Sequence, residues 1–199
     1  MNLPNKLTVL RIILTPIFML TLVWDFPFHY FVAMLIFIFA SLTDMMDGKI
    51  ARKRGIVTDF GKFLDPLADK MLTTAAFIGF LALDIGEGMV WILFIVLFRE
   101  FMVSSIRLIA VSSGGKVIAA NIWGKLKTVF QMIAIIFALA AKQFIELLVM
   151  FGVSADLVSV FYTVLSALTT IFLWISAAIC VVSGIIYLVD NKEFVNHTK

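Results

Sequence analysis

The stretch DMMDGKIARKRGIVTDFGKFLDPLADK, residues 44–70, decides the fold because it interrupts a chain that is otherwise strongly apolar. It holds five aspartates, six Lys or Arg residues and three glycines. Of the 199 residues, 62% are hydrophobic and 15% are charged, whereas soluble globular domains carry about 45–50% apolar and about 25% charged residues. The composition therefore predicts an integral membrane protein, in which carboxylates at the ends of apolar segments need an explanation.

Six apolar segments predict an all-α, polytopic membrane protein with about six transmembrane helices. The segments fall near residues 7–24, 30–43, 63–83, 89–111, 126–141 and 157–188. The second is short for a span, which needs about 20 residues, so we expect its helix to continue through the first aspartates to about Arg52. The length leaves room for one membrane-embedded domain, residues 1–199, and no separate soluble module.

Basic residues fall on alternate sides of these segments. Lys and Arg occur before the first segment, between the second and third, between the fourth and fifth, and after the sixth. The other connections hold the acidic residues Asp25, Asp84, Glu87 and Asp156. Because cytoplasmic loops carry an excess of Lys and Arg, we expect a multi-pass protein of the cell membrane with both termini in the cytoplasm. Lys142 is the exception, and we expect residues 142–156 to lie along the outer surface.

Several other kinds of site are excluded by the composition. The net charge of +3 is small and the basic residues lie in the connections, so we expect no nucleic-acid partner, which would need an exposed basic stripe. The single cysteine, Cys180, leaves neither a disulfide nor a cysteine metal site. His29 and His197 are isolated, and we expect neither to bind a metal or act as a base.

The aspartates of the opening stretch form two pairs. Asp44 and Asp47 are three residues apart, and Asp65 and Asp69 are four apart; on a helix such residues share one face. Two carboxylates about 5.5 Å apart repel by roughly 3 kcal/mol at an effective dielectric constant near 20. All-oxygen sites suit hard divalent cations, so facing pairs could hold two ions about 4 Å apart, the arrangement that assists displacement at phosphorus.

Small residues beside the carboxylates indicate that a ligand approaches the backbone. Gly48 follows Asp47, and Gly61 lies one turn before Asp65, although glycine inside a helix costs about 1 kcal/mol relative to alanine. With Ala51 they leave a low surface that suits a flat ligand such as a nucleotide. A structural alternative is that Asp65 and Pro66 only begin a helix, as N-cap and first helical residue, and that the basic run at 52–54 only fixes topology.

These residues resemble a known family. Asp44-x-x-Asp47-Gly48-x-x-Ala51-Arg52, eight residues, then Gly61-x-x-x-Asp65-x-x-x-Asp69 match the signature of the CDP-alcohol phosphatidyltransferases at every position. The resemblance implies that family's membrane fold, a homodimer, and two divalent cations, Mg²⁺ or Mn²⁺, held by the four aspartates. It also implies that CDP-diacylglycerol donates a phosphatidyl group to an alcohol and that CMP leaves. By resemblance Asp69 is also the catalytic base on the acceptor hydroxyl, and the CDP-binding residues are Gly48, Ala51, Arg52 and Gly61.

The charge of the site bears on which alcohol is the acceptor. Two divalent cations contribute about +4, which the aspartates offset, while a donor diphosphate adds about −2 and a phosphorylated acceptor nearly −2 more. A phosphorylated acceptor therefore needs further basic groups. The candidates are Arg99 and Arg107 in the fourth segment and Lys125 and Lys127 at the fifth.

Arg99 needs a partner, because an arginine deep in a span costs at least about 2.5–3 kcal/mol. Glu100 is adjacent and is not expected to face it on a helix. The alternative to a substrate role is that Arg99 pairs with an acid of another helix, while Arg107 and the two lysines reach lipid head groups.

Three further stretches resemble one bacterial branch of the family. They are NLPNKLTVLRIILTP (residues 2–16), FREFMVSSIR (98–107) and GKLKTVFQ (124–131). The acceptor in that branch is sn-glycerol 3-phosphate, so the resemblance implies that Thr8, Arg99, Arg107, Lys125 and Lys127 surround its phosphate. Asn5 and Arg11 are further candidates.

The resemblance thus implies an enzyme whose active site opens at the cytoplasmic leaflet and whose donor keeps its acyl chains in the membrane lipid. We expect direct displacement, because the site offers acids and metals but no activated Ser or Cys nucleophile. One alternative is a different acceptor, such as inositol phosphate, or phosphatidylglycerol as in cardiolipin synthesis. A more distant alternative is an ion or proton transporter, whose acids would lie near mid-membrane on broken helices.

Overall fold

The structure is a computed structural model that describes the backbone of residues 3–54, 59–112 and 122–191, and the side chains of residues 5–43, 67–68, 70–109 and 122–191. Within these ranges the only regular secondary structure is helical, so the all-α prediction is confirmed. Each predicted apolar segment lies in a helix of its own. The helices are α1 (Leu3–Val23), α2 (His29–Arg54), α3 (Asp59–Ala82), α4 (Met89–Ser112), α5 (Ile122–Met150) and α6 (Ala155–Asp190).

Four of these helices contain an apolar stretch long enough to cross a membrane. These stretches are Asn5–Val23, Met89–Ile109, Ile122–Met150 and Ala155–Asp190. Among the residues whose side chains are described, the apolar parts of α2 and α3 are shorter, His29–Thr43 and Lys70–Ala82. Both helices also carry part of the charged stretch. The described part of the chain is that of a multi-pass membrane protein.

Helix α2 confirms that the second apolar segment continues past the first aspartates. It runs for 26 residues without a break, from His29 to Arg54, so the helix extends through the predicted end at Arg52. The next helix begins at Asp59. The two aspartate pairs therefore lie on helices that follow each other closely along the chain.

The boundary expected after residue 141 is wrong, because α5 continues through Lys142 to Met150. The Lys142 ammonium lies 5.4 Å from the centre of the Tyr162 ring on α6. Gln143 accepts a hydrogen bond from the Phe31 backbone N–H at 2.8 Å. These contacts give the polar residues of the last turns partners on neighbouring helices, so the helix has no reason to end where the apolar run ends.

Close packing of aromatic residues holds the helices together. Helix α1 packs against α2 and α3, α5 against α2 and α6, and α4 against α3 and α6. Phe18 and Phe37 are fully buried, with ring centres 5.7 Å apart. A Cβ at Gly79 would come within 2.4 Å of Leu22 Cδ2, so this glycine lets α3 approach α1 closely.

The turn between α3 and α4 is fixed on α6. Gly86 and Gly88 have φ values of +87° and +73°, the left-handed region that glycine adopts readily. The Glu87 backbone N–H donates to Thr170 Oγ1 at 3.1 Å, and Trp174 Nε1 donates to the Glu87 carbonyl at 3.1 Å. This turn lies at the end of α3 remote from the aspartates, and it holds the start of α4 against α6.

Candidate active site

The four aspartates lie on helical backbone, as their spacing predicts. Asp44 and Asp47 belong to α2, and Asp65 and Asp69 belong to α3, so each pair occupies one face of its helix. Their side chains are outside the described residues, and their metal-binding role stays a prediction. The donor set itself fits divalent cations, since four carboxylates supply the oxygen ligands that Mg²⁺ and Mn²⁺ prefer.

The alternative that Asp65 and Pro66 only begin a helix is wrong. Helix α3 begins at Asp59, so Asp65 lies well inside it and cannot be its N-cap. A proline there removes one backbone hydrogen bond of the helix, and the helix continues past it. Pro66 is therefore carried within α3, and capping does not explain why an aspartate stands at position 65.

The predicted CDP-binding residues lie on the same two helices, but none of their side chains belongs to the described set. Gly48, Ala51 and Arg52 are part of α2, and Gly61 is part of α3. Because they lie within a few residues of the aspartates on continuous helices, they are close to them along the backbone. Their contact with CDP stays a prediction.

A cavity of about 440 Å³ that contains several charged side chains opens between α1, α2, α3, α4 and α5. Its border contains six basic side chains and one acidic side chain among the described residues. The basic residues are Arg11, Lys70, Arg99, Arg107, Lys125 and Lys127, and the acid is Glu100. A cavity with this excess of positive charge suits an anion with more than one negative charge.

Most of the residues predicted for the acceptor phosphate border this cavity. Arg99 and Lys127 are each 8% exposed, while Arg107 and Lys125 are exposed at its mouth. Thr8 is fully buried on α1 and is not at the cavity border. Arg11, three residues later, is at the border.

Asn5 is buried on α1 as well, further from Arg11 and likewise away from the cavity border. The structure thus brings four of the five predicted residues to one cavity, along with Arg11, one of the two further candidates. Binding of phosphate by any of them stays a prediction.

The expectation that Glu100 cannot contact Arg99 is wrong. Arg99 Nη1 donates to Glu100 Oε1 at 3.2 Å, and Arg99 Nη2 donates to Ser183 Oγ on α6 at 2.7 Å. Adjacent residues on a helix start in different directions, but both side chains are long enough to bend into the same cavity. Among the described residues, the acid that pairs with Arg99 comes from its own helix.

Glu100 is also the acid that two lysines share. Lys127 Nζ bonds directly to Glu100 Oε1, and Lys70 Nζ lies 3.8 Å from Glu100 Oε2. Lys70 also donates to Ser104 Oγ and, at 3.4 Å, to the Glu100 carbonyl. One carboxylate thus gathers cations from α3, α4 and α5.

Glu100, Lys70 and Ser183 are the residues of this site that sequence reasoning missed. An ionisable residue in the middle of an apolar span is a signal in itself, and Glu100 carries it. Lys70 directly follows Asp69 and is the last charge before the apolar part of α3. Ser183 had no signal, because a serine in an apolar helix is common and its partner lies on another helix.

One buried donor at this site lacks a partner among the residues whose side chains are described. Arg99 Nε is fully buried and makes no hydrogen bond to any of them. Buried polar groups are almost always hydrogen-bonded, so the guanidinium has donor capacity left for another acceptor. An anion in the cavity is the kind of group that would use it.

The fold and this site define a class of membrane enzyme that the comparison with known sequences identifies. The chain belongs to the CDP-alcohol phosphatidyltransferase family, whose sequence profile matches residues 1–182. The resemblance of the aspartate signature is thereby confirmed.

Several relatives that match over most of the chain carry the enzyme name CDP-diacylglycerol–glycerol-3-phosphate 3-phosphatidyltransferase. The protein of that name from Bacillus subtilis is 38% identical, over 96% of this chain and 96% of its own. The one from Rickettsia bellii is 34% identical over 97% of each chain. The one from Pseudomonas fluorescens is 38% identical over 70% of this chain and 73% of its own.

Proposed function

We propose that this protein transfers the phosphatidyl group of CDP-diacylglycerol to sn-glycerol 3-phosphate, which yields phosphatidylglycerol phosphate and CMP. The observation that carries the proposal is the basic cavity beside the helix of Asp65 and Asp69. Lys70 belongs to that helix, directly follows Asp69 and borders the cavity. An acceptor whose phosphate lies in the cavity would have its hydroxyl near the aspartate end of α3.

The charge of the cavity supports a phosphorylated acceptor over an uncharged or cationic one. Among the described residues of its border, six basic side chains against a single acid leave a large positive excess, which a phosphate of nearly −2 would offset. An inositol phosphate would satisfy the same charge. The names of the relatives favour glycerol 3-phosphate.

The four aspartates would hold two divalent cations, Mg²⁺ or Mn²⁺. When bound, these ions would offset negative charge on the donor diphosphate. Gly48, Ala51 and Gly61 would leave room for CDP, and Arg52 would contact it.

The chain's own residues would bind the acceptor and move its proton. The cavity cations hold the phosphate, and the Asp69 carboxylate takes the proton from the 1-hydroxyl. The acceptor oxygen forms a bond to the β-phosphorus of the donor as the bond to the CMP oxygen breaks. CMP leaves with that electron pair, so no covalent enzyme intermediate is needed.

We further propose that residues 1–199 form a single catalytic domain of the cell membrane that acts as a homodimer. The Lys and Arg residues of the connections support a cytoplasmic position of both termini and of the active site. The resemblance of this chain to its family supports the homodimer.

The test is CMP release by the purified protein with CDP-diacylglycerol and a panel of acceptors, namely glycerol 3-phosphate, inositol phosphate, phosphatidylglycerol and serine. We expect glycerol 3-phosphate to be preferred, and we expect activity to vanish with a chelator and return with Mg²⁺. Asp69→Asn should lower kcat by about 100- to 10,000-fold, the range of general base catalysis.

The matched control is Asp84→Asn, in the turn at the other end of α3, which should leave kcat unchanged. Metal-independent CMP release, or full activity of Asp69→Asn, would contradict the proposal. A transporter would release no CMP. Glu100, the acid in the middle of α4, is already paired with three cations among the described residues, which does not favour a transport role.

A further inference from the structure

Glu100 lies in the middle of α4 and is the one acid among the described residues that border the basic cavity. Its side chain is 12% exposed. A buried carboxylate is costly unless it is paired and hydrogen-bonded, and here Arg99 and Lys127 both contact Oε1 while Lys70 faces Oε2. An acid in such a place repels a substrate phosphate, so its presence needs a reason.

The contacts of Glu100 fix the positions of cations that come from three different helices. Arg99 is bound on one side by Glu100 and on the other by Ser183. Lys127, on α5, is bound through the same carboxylate oxygen as Arg99. Without this carboxylate, three neighbouring positive charges would repel one another and turn apart.

Two other cations of the cavity differ from this group. Arg107 and Lys125 border the cavity, are exposed, and form no ion pair with any acid whose side chain the structure describes. The cavity therefore combines two cations free to meet an incoming phosphate with a group that is already arranged. Arg99 keeps its Nε free of any described partner, so it can donate to a phosphate without leaving Glu100.

We infer that Glu100 is a positioning residue, which holds Arg99 and Lys127 in place for the acceptor phosphate and ties them through Lys70 to the helix that carries Asp69. The inference rests on the proposed function for the identity of the acceptor. Its rival is that Glu100 stands in for the phosphate and is displaced by it. The two differ in sign, because removal of a positioning residue weakens anion binding, whereas removal of an internal competitor strengthens it.

The decisive variant is Glu100→Gln, which keeps the shape of the side chain and removes its charge. We expect KM for glycerol 3-phosphate to rise by about tenfold or more, the effect of losing charge-assisted contacts, while KM for CDP-diacylglycerol stays within about twofold. Inorganic phosphate, measured by its effect on the melting temperature of the purified protein with Mg²⁺, should bind more weakly by a similar factor. Glu100→Asp keeps the charge and should recover part of the loss.

The matched control is Glu146→Gln, at the opposite end of α5, which also removes the charge of a carboxylate that contacts a basic side chain, His29, and should leave both KM values unchanged. Unchanged or tighter phosphate binding in Glu100→Gln would overturn the inference, and so would an equal rise of KM for both substrates. If Glu100→Gln does not fold, Glu100→Asp decides in the same way, by a rise of KM confined to glycerol 3-phosphate.

Failure of the proposed function would look different. The unchanged protein would then release no CMP on addition of glycerol 3-phosphate. The binding of inorganic phosphate would still test Glu100 in that case, because it needs no reaction.

Discussion

Ser183 holds the side of the Arg99 guanidinium that faces α6. Its hydroxyl oxygen accepts a hydrogen bond from Nη2 at 2.7 Å, while Nη1 is turned to Glu100. Gly184 follows it, and a Cβ there would lie 3.1 Å from Arg99 Cγ. A hydroxyl followed by a glycine thus gives this arginine both a partner and the space to reach it.

Replacing Ser183 by alanine removes that partner and leaves a buried N–H donor unsatisfied. Such a loss costs roughly 1–3 kcal/mol, and we expect it to be divided between stability and acceptor binding. Ser183→Ala should therefore lower the melting temperature and raise KM for glycerol 3-phosphate, with KM for CDP-diacylglycerol unchanged. Steady-state kinetics and thermal unfolding of the purified protein measure both effects.

Ser176→Ala is the matched control for this variant. Ser176 is equally buried on α6, but its hydroxyl donates to the Leu173 carbonyl of its own helix at 2.7 Å. Its loss should leave KM for glycerol 3-phosphate as it is. If Ser183→Ala and Ser176→Ala behave alike, Ser183 has no part in placing Arg99.

At the scale of single residues, the sequence predicts positions along a helix better than the ends of long side chains. Asp44 and Asp47 were placed on one face because helical periodicity alone determines it. The same periodicity wrongly excludes Glu100 as a partner of Arg99, because the direction of Cβ does not limit where a flexible side chain ends. Lys70 was overlooked because only the fold shows that it turns toward α4.

At the scale of the helices, a polar link joins the start of α2 to α5. His29 Nε2 lies 3.0 Å from Glu146 Oε1, and His29 Nδ1 lies 3.2 Å from the Leu22 carbonyl at the end of α1. Gln143 adds a hydrogen bond from its Nε2 to Glu146 Oε2 at 3.2 Å. His29 thus has a structural role at this corner.

Removing Glu146 should affect stability without affecting catalysis. Glu146→Ala breaks the contacts to His29 and Gln143, and we expect the free energy of unfolding to fall by roughly 1–2 kcal/mol. The loss is limited because Glu146 is partly exposed. Lys127 lies about 28 Å away along α5, at 1.5 Å per residue. Thermal unfolding should therefore shift while both KM values remain the same.

Glu87→Ala is the control, since Glu87 is exposed in the turn between α3 and α4 and its contacts to α6 are made by its backbone. It should unfold at the temperature of the unchanged protein. A change of KM in Glu146→Ala would mean that the corner between α1 and α2 communicates with the cavity.

The ends of a helix could be predicted where the charge pattern and the length needed for a membrane span indicate the same residue. They could be predicted less well where the two indicate different residues. The continuation of α2 to Arg54 follows from the need of a short apolar segment for more length. The apolar pattern predicts too early an end for α5, because the charge of Lys142 resembles a terminus while its partner Tyr162 belongs to another helix. The start of α3 was open for a similar reason, since Asp65 and Pro66 are also a common beginning of a helix.

At the scale of the whole molecule, the connections divide into two groups by charge. The turns after α1, α3 and α5 lie at one end of the helices and carry Asp25, Asp84 and Glu87. The Lys and Arg residues of the opening stretch lie toward the other end. This separation predicts which end of the protein faces the cytoplasm.

Labelling of introduced cysteines tests that orientation. Cys180 is buried, so it should give little background with a membrane-impermeant maleimide. Asp25→Cys and Glu87→Cys should react in intact cells, whereas Lys53→Cys should react only after permeabilisation. The reverse pattern would place the active site on the outer side of the membrane.

The packing of the helices could not be predicted from the sequence. In a membrane span all faces are apolar, so periodicity does not distinguish the interior from the lipid-facing side. The close approach of α1 and α3 depends on Gly79 fitting against Leu22, a contact between residues far apart in the sequence. Composition predicts the fold class, whereas the cavity exists because of how the helices pack and cannot be predicted from composition.

The sharing of Glu100 by Lys70, Arg99 and Lys127 makes acceptor preference difficult to change by one substitution. Loss of either lysine still leaves the carboxylate paired with the remaining cations, so one substitution weakens phosphate binding without making the site suited to another alcohol. Divergence toward an uncharged acceptor would require several positive groups on α3, α4 and α5 to disappear together. We would expect intermediates of such a transition to be inactive with both kinds of alcohol, which would keep this specificity stable over long evolutionary periods.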